Sequence, residues 1–509
     1  MNTIAVVLVV VIMILAFIII MYYNKHLEAR SKVSHIPGIH QFQPIILKIP
    51  FLTSHINLKS PIYLQIYDLI RKHGRNGVMS ISTWKTSSVA IFSPENIKHV
   101  MVKYAKDYPK PQEQVYEAFD IFGPNILTTN GDIWRKHRML SNPAFNDDHI
   151  KLVSKVTNQT MVSVTKEYWS HDSFDCNVVE DMTKITLQIM GIAGFGRDMK
   201  ALNEDQTYDR SKYTMTFREA ISRAADEIII ARFRYPKWLL NSPLPYFKNC
   251  REVVRNADLY LDDIISTCIN DSDPLSKNYD LLSLLVAAKD EENKTGLSRA
   301  EIKSDSFIFL VAGHETTASQ LMWSLWLLAK HQDVQEKVRK EVNKVFGDRE
   351  ELVHEDYDGL QYLLCVVKES MRLFPPINGV VKVATKNDVL SGYKINKGTI
   401  IRVNFYAMQR DPEIWDRPEE FIPERFESSN ADHVDPMSYI PFSIGTRKCI
   451  GFQFSLTESV FILAHILRCF HIDLTEEQKK SNFVPTPRQF ITIKPKELNL
   501  QFNRIKDRS

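Results

Sequence analysis

Phe442-Ser443-Ile444-Gly445-Thr446-Arg447-Lys448-Cys449-Ile450-Gly451 is the stretch that decides how this chain is read. It presents one cysteine inside a loop punctuated by two glycines, and the apolar run Phe452 to Leu467 follows at once. Glycine lets a backbone turn tightly around a sulfur and aim amide N–H groups at it, which an anionic ligand needs. The helix predicted over Phe452 to Leu467 offers its unpaired first-turn N–H groups and positive dipole end to the same atom. Cys449 is therefore expected to be a thiolate metal ligand; the competing reading is an inert buried cysteine packed on a turn.

The rest of the chain is that of a large globular protein. Of 509 residues 44% are hydrophobic and 25% charged, and no Pro/Gly/Ser-rich linker or repeat divides the sequence after its N-terminal region. One large domain is expected. The net charge of +3 arises from 64 basic and 61 acidic residues that are interspersed, which excludes a dedicated nucleic-acid surface. Six cysteines lie far apart with no CxxC pair, so disulfides are not indicated and a reducing compartment is expected.

The N-terminus differs in kind. Ile4 to Tyr23 carries no charge, and twenty helical residues at ~1.5 Å each span the ~30 Å core of a bilayer. We expect a transmembrane anchor over residues 1–24 and a basic, proline-containing linker over residues 25–44. The body then occupies residues 45–509. Lys25, His26, Arg30 and Lys32 follow the apolar run, which places the body in the cytosol. A cleaved signal peptide would need a shorter apolar region and a small-residue cleavage site.

Three further motifs join the cysteine loop. Ala312-Gly313-His314-Glu315-Thr316-Thr317 interrupts the apolar run Phe307 to Leu328, where a Gly, a Glu and a Thr need partners or a task. Glu369-Ser370-Met371-Arg372 places opposite charges one helical turn apart and precedes Leu373-Phe374-Pro375-Pro376. Trp134-Arg135-Lys136-His137-Arg138 sets an aromatic and a cation on one helix face. Together the strings resemble the FxxGxRxCxG, AGxETT, ExxR and WxxxR signatures of the haem-thiolate monooxygenases, the cytochromes P450 of eukaryotic microsomal type.

That resemblance covers the chain from about Pro37 onward and implies a mainly helical fold with a minor β region, the cytochrome P450 fold, behind one transmembrane helix. It implies haem b (iron protoporphyrin IX), with Cys449 as the metal ligand and Phe442 packed beside it. Trp134, Arg138 and Arg447 would hold the propionates, with Lys382 where many relatives have an arginine and Gln409 where many have a histidine. Thr316 would hydrogen-bond bound dioxygen and Glu315 would relay protons; His314 is not expected on the iron. Glu369, Arg372 and Arg425, the last within Phe421 to Phe426, would form a buried structural triad.

Ile62 to Lys72 reads as an amphipathic helix and Val78 to Phe92 as two short strands. Tyr108 to Leu127 reads as a long loop, which in the family covers the substrate pocket, and Gly131 to Lys368 as mostly helix with breaks near Pro236, Pro243, Pro245 and Gly296. Strands are expected at Val380 to Val389, Thr399 to Asn404, Phe490 to Ile493 and Leu498 to Phe502. Ile228 to Phe247 mixes Trp238, aromatics and cations; it suits either a core helix with a solvated loop or a second contact with the membrane surface.

The function implied is a membrane-anchored monooxygenase of the endoplasmic reticulum, single-pass and facing the cytosol, that hydroxylates a lipophilic small molecule such as a steroid or fatty acid. No flavin or nicotinamide fingerprint is present, so NADPH and flavins would act through a separate NADPH-cytochrome P450 reductase, with cytochrome b5 as a second donor. Pocket candidates are Pro111 to Leu127, Phe307 to Thr316, Ile377 to Val381 and Gln489 to Thr492. Two other readings stand beside this one: a haem-thiolate isomerase or dehydratase acting on hydroperoxides, and a non-catalytic haem-binding sensor. A requirement for NADPH and substrate-dependent oxygen consumption separate them.

Overall fold

The computed structural model describes residues 3–40, 62–82, 87–113, 115–202, 208–270, 280–288, 296–430, 434–481, 483–489 and 492–506. The domain boundary expected at residue 44 and the start of the strand expected at Phe490 lie outside these residues.

Helix α1 (Thr3–Ser31) runs on through Lys25 into the expected linker. Its last turn and the turn after it are no longer lipid-like: Ala29, Val33 and Ile36 are buried, the latter two with Val78 and Val89 of the body. Among the described residues no helix is long and apolar enough to cross a membrane. Several side chains of the uncharged run, those of residues 4–8, 11, 14, 15, 18 and 22, are not among those described. Of those that are, Val9, Ile12, Met13, Phe17 and Ile20 stand exposed.

The body is mainly helical, with α2 at Ile62–His73, α3 at Gly131–Ser141, α4 at Asp147–Ser163, α5 at Val178–Ile189, α6 at Phe217–Arg223 and α7 at Pro245–Asn270. Next come α8 (Arg299–Lys330), α9 (Gln332–Phe346), α10 (Gln361–Leu373) and α11 (Phe452–Cys469). Helix α8 is the axis of the core. It opens on a capping box, with the Ser298 amide bonded to Glu301 at 2.8 Å and the Glu301 amide to the Ser298 hydroxyl at 3.3 Å. Nearly every side chain from Ile302 to Ala329 is then buried, against α5, α10 and α11. The helix stays unbroken through Ala312 to Thr317, so the interruption expected there is one of composition, not of backbone. Helix α10 ends at Phe374, φ −131°, because the following prolines push that residue out of the helical region.

The strands are β1 (Gly38–His40), β2 (Val78–Ser82), β3 (Ser87–Ile91), β4 (Ser173–Asn177), β5 (Gly379–Val383), β6 (Asp388–Leu390), β7 (Tyr393–Ile395), β8 (Ile400–Asn404), β9 (Phe470–Leu474), β10 (Pro487–Gln489), β11 (Ile493–Pro495) and β12 (Asn499–Arg504). The main sheet has the order β1-β2-β3-β8-β5, which sets Lys382 opposite Ile401. The strand expected over Val380 to Val389 is in fact two, β5 and β6, in separate sheets. Strand β4 lies inside a region read as helix. Its pairing with β12 across more than three hundred residues supplies the β environment that its five residues cannot specify locally.

A buried ion network fixes the region behind the cysteine loop. The Glu369 carboxylate accepts from Arg372 Nε at 2.7 Å and Nη2 at 2.9 Å, from Arg425 Nε at 3.3 Å and from the Ile422 amide at 3.0 Å. Arg372 also donates to the carbonyls of Gln409, Pro418 and Glu420. Gln409 in turn donates to the carbonyls of Met371 and Arg372 and accepts from the Ile440 amide at 3.3 Å. At that position an amide serves the packing directly, since it donates and accepts at once.

Where α8 meets α11, Thr317 and Ser455 share a hydrogen bond of 3.1 Å. Beside them Glu458 is 1% exposed, and among the described residues neither of its carboxyl oxygens has a hydrogen-bond partner, although Thr317 is near. Burial pushes its carboxyl well above the usual carboxylate range, with Thr317 only partly opposing. The folded protein therefore keeps this proton at a pH where the unfolded chain releases it. The contribution to stability is full below about pH 4.5 and is lost as pH rises toward the raised folded value. We expect Glu458→Gln to match the wild type in denaturant unfolding near pH 4 and to exceed it increasingly toward pH 8. The gap should widen by at most about 1.4 kcal/mol per pH unit; a gap that does not change with pH means the carboxyl ionises freely.

Candidate active site

The cysteine loop is held by its own backbone. The Cys449 amide donates to the Phe442 carbonyl at 2.9 Å, the Lys448 amide to Gly445 at 3.1 Å and the Ser443 amide to Ile440 at 2.9 Å. Gly445 has φ +74°, and a Cβ there would fall 2.4 Å from the Met101 carbonyl oxygen, so only glycine fits. Gly451 is different: at φ −90° it would place a Cβ in ordinary contact with Phe145, 3.6 Å away. Of the two glycines, the tight turn depends on the first, and Ser443 at φ +61° shares the left-handed conformation with it.

Cys449 is open to space, yet protein surrounds it on all sides, so the space it faces is internal. Burial pushes its thiol up, while the Gly451 amide, Arg138 and Lys448 pull it down without cancelling that effect. Loop and helix dipole do not by themselves make the thiolate expected from the sequence. A cation on the sulfur would complete the task.

A wall of the same character occurs on α8. Within the buried stretch from Ser304 to Ala329, Ala312 is exposed, and Gly313 and Thr316 are half-buried. Ala312, not Gly313, is thus the small residue that leaves room. Gly313 answers to the other side of the helix, where a Cβ would meet Met190 Sδ at 2.7 Å. Thr316 Oγ1 donates to the Ala312 carbonyl at 2.8 Å, the ordinary helical bond of a threonine, and its remaining lone pairs border the open space. His314 points away: Nδ1 is 2.6 Å from the Leu310 carbonyl, and burial holds its ring below the usual histidine range.

Glu315 has a partner that the sequence does not suggest. It is 6% exposed and accepts from Lys494 Nζ at 2.8 Å, and Lys494 is itself 3.4 Å from Asp226. Burial opposes charge on Lys494, but the two carboxylates outweigh it and hold the ammonium above its ordinary range. The acid is thus ion-paired in the resting fold. Lys494, on β11, escaped notice because nothing in the sequence links it to a helix 179 positions away.

The cations expected around a haem edge converge. Arg138 donates to the Lys448 carbonyl at 3.0 Å; Arg447 donates to the carbonyls of Ile126 and Thr129 and lies 4.0 Å over the Trp134 ring. Lys382, on β5, is buried, and burial followed by the Arg447 charge lowers its ammonium to about 8. Burial, outweighing nearby Tyr116, with Arg138 adding repulsion, lowers Arg447 to about 10. Among the described residues no carboxylate pairs with Lys382 or Arg447. A cluster of unbalanced cations, Lys382 buried and Arg138 and Arg447 half-buried, beside a cysteine open to an internal space suits a flat group with two carboxylates and a metal. The residues present fit haem.

A separate cavity of about 370 Å³ opens between Glu117, Ala118 and Ile121 of the pocket loop and Ile228, Arg232, Leu240 and Val254. Neither Cys449 nor Thr316 lines it.

The cytochrome P450 family model matches residues 41–502. Cytochrome P450 monooxygenase 124 of Postia placenta is 29% identical, over 94% of this chain and 96% of that protein. Human cytochrome P450 4F3 is 30% identical over 78% of each chain, and human cytochrome P450 4V2 is 28% identical over 90% of each. In fold, the crystal structure of the cytochrome P450DA heme domain superposes with a TM-score of 0.76 at 23% identity, over 87% of this chain and 93% of that one. With the cysteine loop, the gap beside Ala312 and the cation cluster already in place, the chain belongs to the cytochrome P450 family of haem-dependent monooxygenases.

Proposed function

We propose that this protein is a membrane-anchored monooxygenase that hydroxylates a lipophilic small molecule, such as a steroid or a fatty acid, with dioxygen and electrons from an NADPH-dependent reductase. The observations that carry the reading are the open face of Cys449 inside the fold, the open faces of Ala312 and Thr316 on α8, and the unbalanced cations Lys382 and Arg447. When bound, haem supplies oxygen activation, with electron donation from the Cys449 sulfur favouring O–O cleavage. The chain does the rest. Arg447, Lys382 and Arg138 neutralise the carboxylates, with the Trp134 ring backing Arg447. Thr316 delivers a proton by turning its hydroxyl from the Ala312 carbonyl toward the open space. Glu315 passes protons inward by leaving Lys494, whose charge Asp226 keeps in place.

Exposed apolar side chains support the membrane reading at two places. One is the run on α1; the other is Phe233, Trp238, Leu244 and Tyr246, with Trp238 73% exposed and Lys237 and Lys248 alongside. On the sulfur side, exposed Lys448 offers a docking charge to an acidic reductase or to cytochrome b5. An endoplasmic reticulum membrane with the body in the cytosol is the location we propose.

Cys449→Ala is expected to abolish the reduced, CO-bound absorbance characteristic of thiolate ligation; a variant that keeps that spectrum removes the basis of this reading. Thr316→Ala should keep haem and spectrum and still consume NADPH in the reconstituted system. Its product per NADPH falls and hydrogen peroxide rises, since a hydrogen bond to a charged species of roughly 1.5–3 kcal/mol is lost. Unchanged coupling would show that Thr316 delivers no proton. Removing Met1 to Asn24 should leave haem binding intact and release the protein only in part from vesicles. Full release disproves the second membrane contact around Trp238, and Trp238→Ser in the truncated chain should complete the release.

A further inference from the structure

Two arginines on the wall of the 370 Å³ cavity take no part in the chemistry derived above. Arg232 Nη2 donates to the carbonyls of Glu117 and Asp120, at 3.1 and 3.2 Å, while its Nε is buried with no hydrogen-bond partner among the described residues. Arg251, on α7, is exposed and donates to the Leu240 carbonyl at 2.7 Å. Both bond carbonyls, and among the described residues neither forms an ion pair with a carboxylate. The carboxylate that lines the cavity is that of Glu117, which already accepts from Lys237 at 2.6 Å. Three cations thus face one carboxylate, and that one is engaged.

Behind these cations the wall is apolar, formed by Ala118, Ile121, Ile228, Leu240 and Val254. In front of them lies the exposed apolar patch, because cation and apolar side chain are neighbours in the chain: Arg232 precedes Phe233, and Lys237 precedes Trp238. The Phe233 ring in turn stands edge-on to Phe119 of the pocket loop, 5.9 Å away, so the patch and the cavity share a border. A patch that enters the bilayer surface brings its flanking cations to the level of the lipid head groups. An apolar hollow with unpaired arginines at that level is the complement of one acyl chain below an anionic phosphate. The planar fork of an arginine suits several phosphate oxygens at once.

We propose that this cavity is a binding site for a net-anionic phospholipid of the membrane, with one acyl chain in the hollow and the phosphate held by Arg232 and Arg251. The proposal rests on the membrane contact around Trp238 proposed above. A zwitterionic lipid carries its own cation beside the phosphate and leaves the excess positive charge of the rim uncorrected. The volume is within the range of small-molecule pockets, ~300–1,000 Å³.

The test is photo-crosslinking of the full-length holoprotein in phosphatidylcholine nanodiscs that contain a minor fraction of phosphatidylglycerol with a photoreactive acyl chain, adducts being located by mass spectrometry. Adducts are expected within residues 117–121, 228–240 and 250–254, and the same label on phosphatidylcholine should give far fewer there. Arg251→Gln and Arg232→Gln should each lower this labelling roughly fivefold, as expected for one cation at a head group, while Arg232→Lys keeps most of it. Arg251 makes one surface bond, so its variant stays informative even if Arg232→Gln loosens the pocket loop and loses the haem spectrum. Equal labelling by the two lipids, labelling indifferent to Arg251→Gln, or displacement of the lipid by excess dodecanoate, which would assign the cavity to a free carboxylic acid, overturns the proposal. If neither lipid labels any residue from 228 to 247, the membrane contact itself is wrong and the site falls with it.

Discussion

The carboxylate of Glu369 is the group on which the arrangement depends. It is fully buried and receives bonds from two arginines and a backbone amide, while Arg372 extends the network to three carbonyls between Gln409 and Glu420. Those carbonyls belong to the irregular chain that leads from β8 to the cysteine loop. Without regular structure, such a segment has no internal ladder to fix it, and its backbone groups need partners. The ion network supplies them. Removing one member would leave a buried charge without compensation, at about 3–5 kcal/mol, and would loosen the support of Ile440, Phe442 and Cys449 together. The motif acts on the chemistry only through this positioning.

The molecule buries charge in two contrasting ways. Around Glu369, and again at Glu315, Lys494 and Asp226, opposite charges meet inside the fold and the account is closed by protein groups. Around Lys382 and Arg447 only positive charges meet. A folded chain keeps such an imbalance where a ligand corrects it. The same logic applies to Cys449, whose buried thiol is pushed up despite nearby Arg138 and Lys448. The site is thus incomplete in charge at both its edge and its centre, in the sense that a ferric porphyrin with two carboxylates would correct.

Much of this was legible in the sequence because the informative contacts are local. Glu369 and Arg372 are one turn apart, and Phe442 and Cys449 close one loop. Trp134 and Arg138 share a helix face, and their target, the cysteine loop, carries its own signature. What escaped was long-range. Strand β4 owes its conformation to β12, Lys494 meets Glu315 from the far end of the chain, and Lys382 comes near Arg447 only through the fold. None of these has a periodicity or spacing to betray it. Gly313 needed the fold as well: the task that a glycine inside a helix calls for is a close approach to Met190, while the open position is Ala312.

The central claim is that the Cys449 sulfur is bound to the iron of a haem in the internal space beside Ala312 and Thr316. X-ray absorption at the iron edge of the purified holoprotein reads the ligand directly. The account predicts one sulfur scatterer in the first shell together with four porphyrin nitrogens. A first shell of nitrogen and oxygen alone would contradict it.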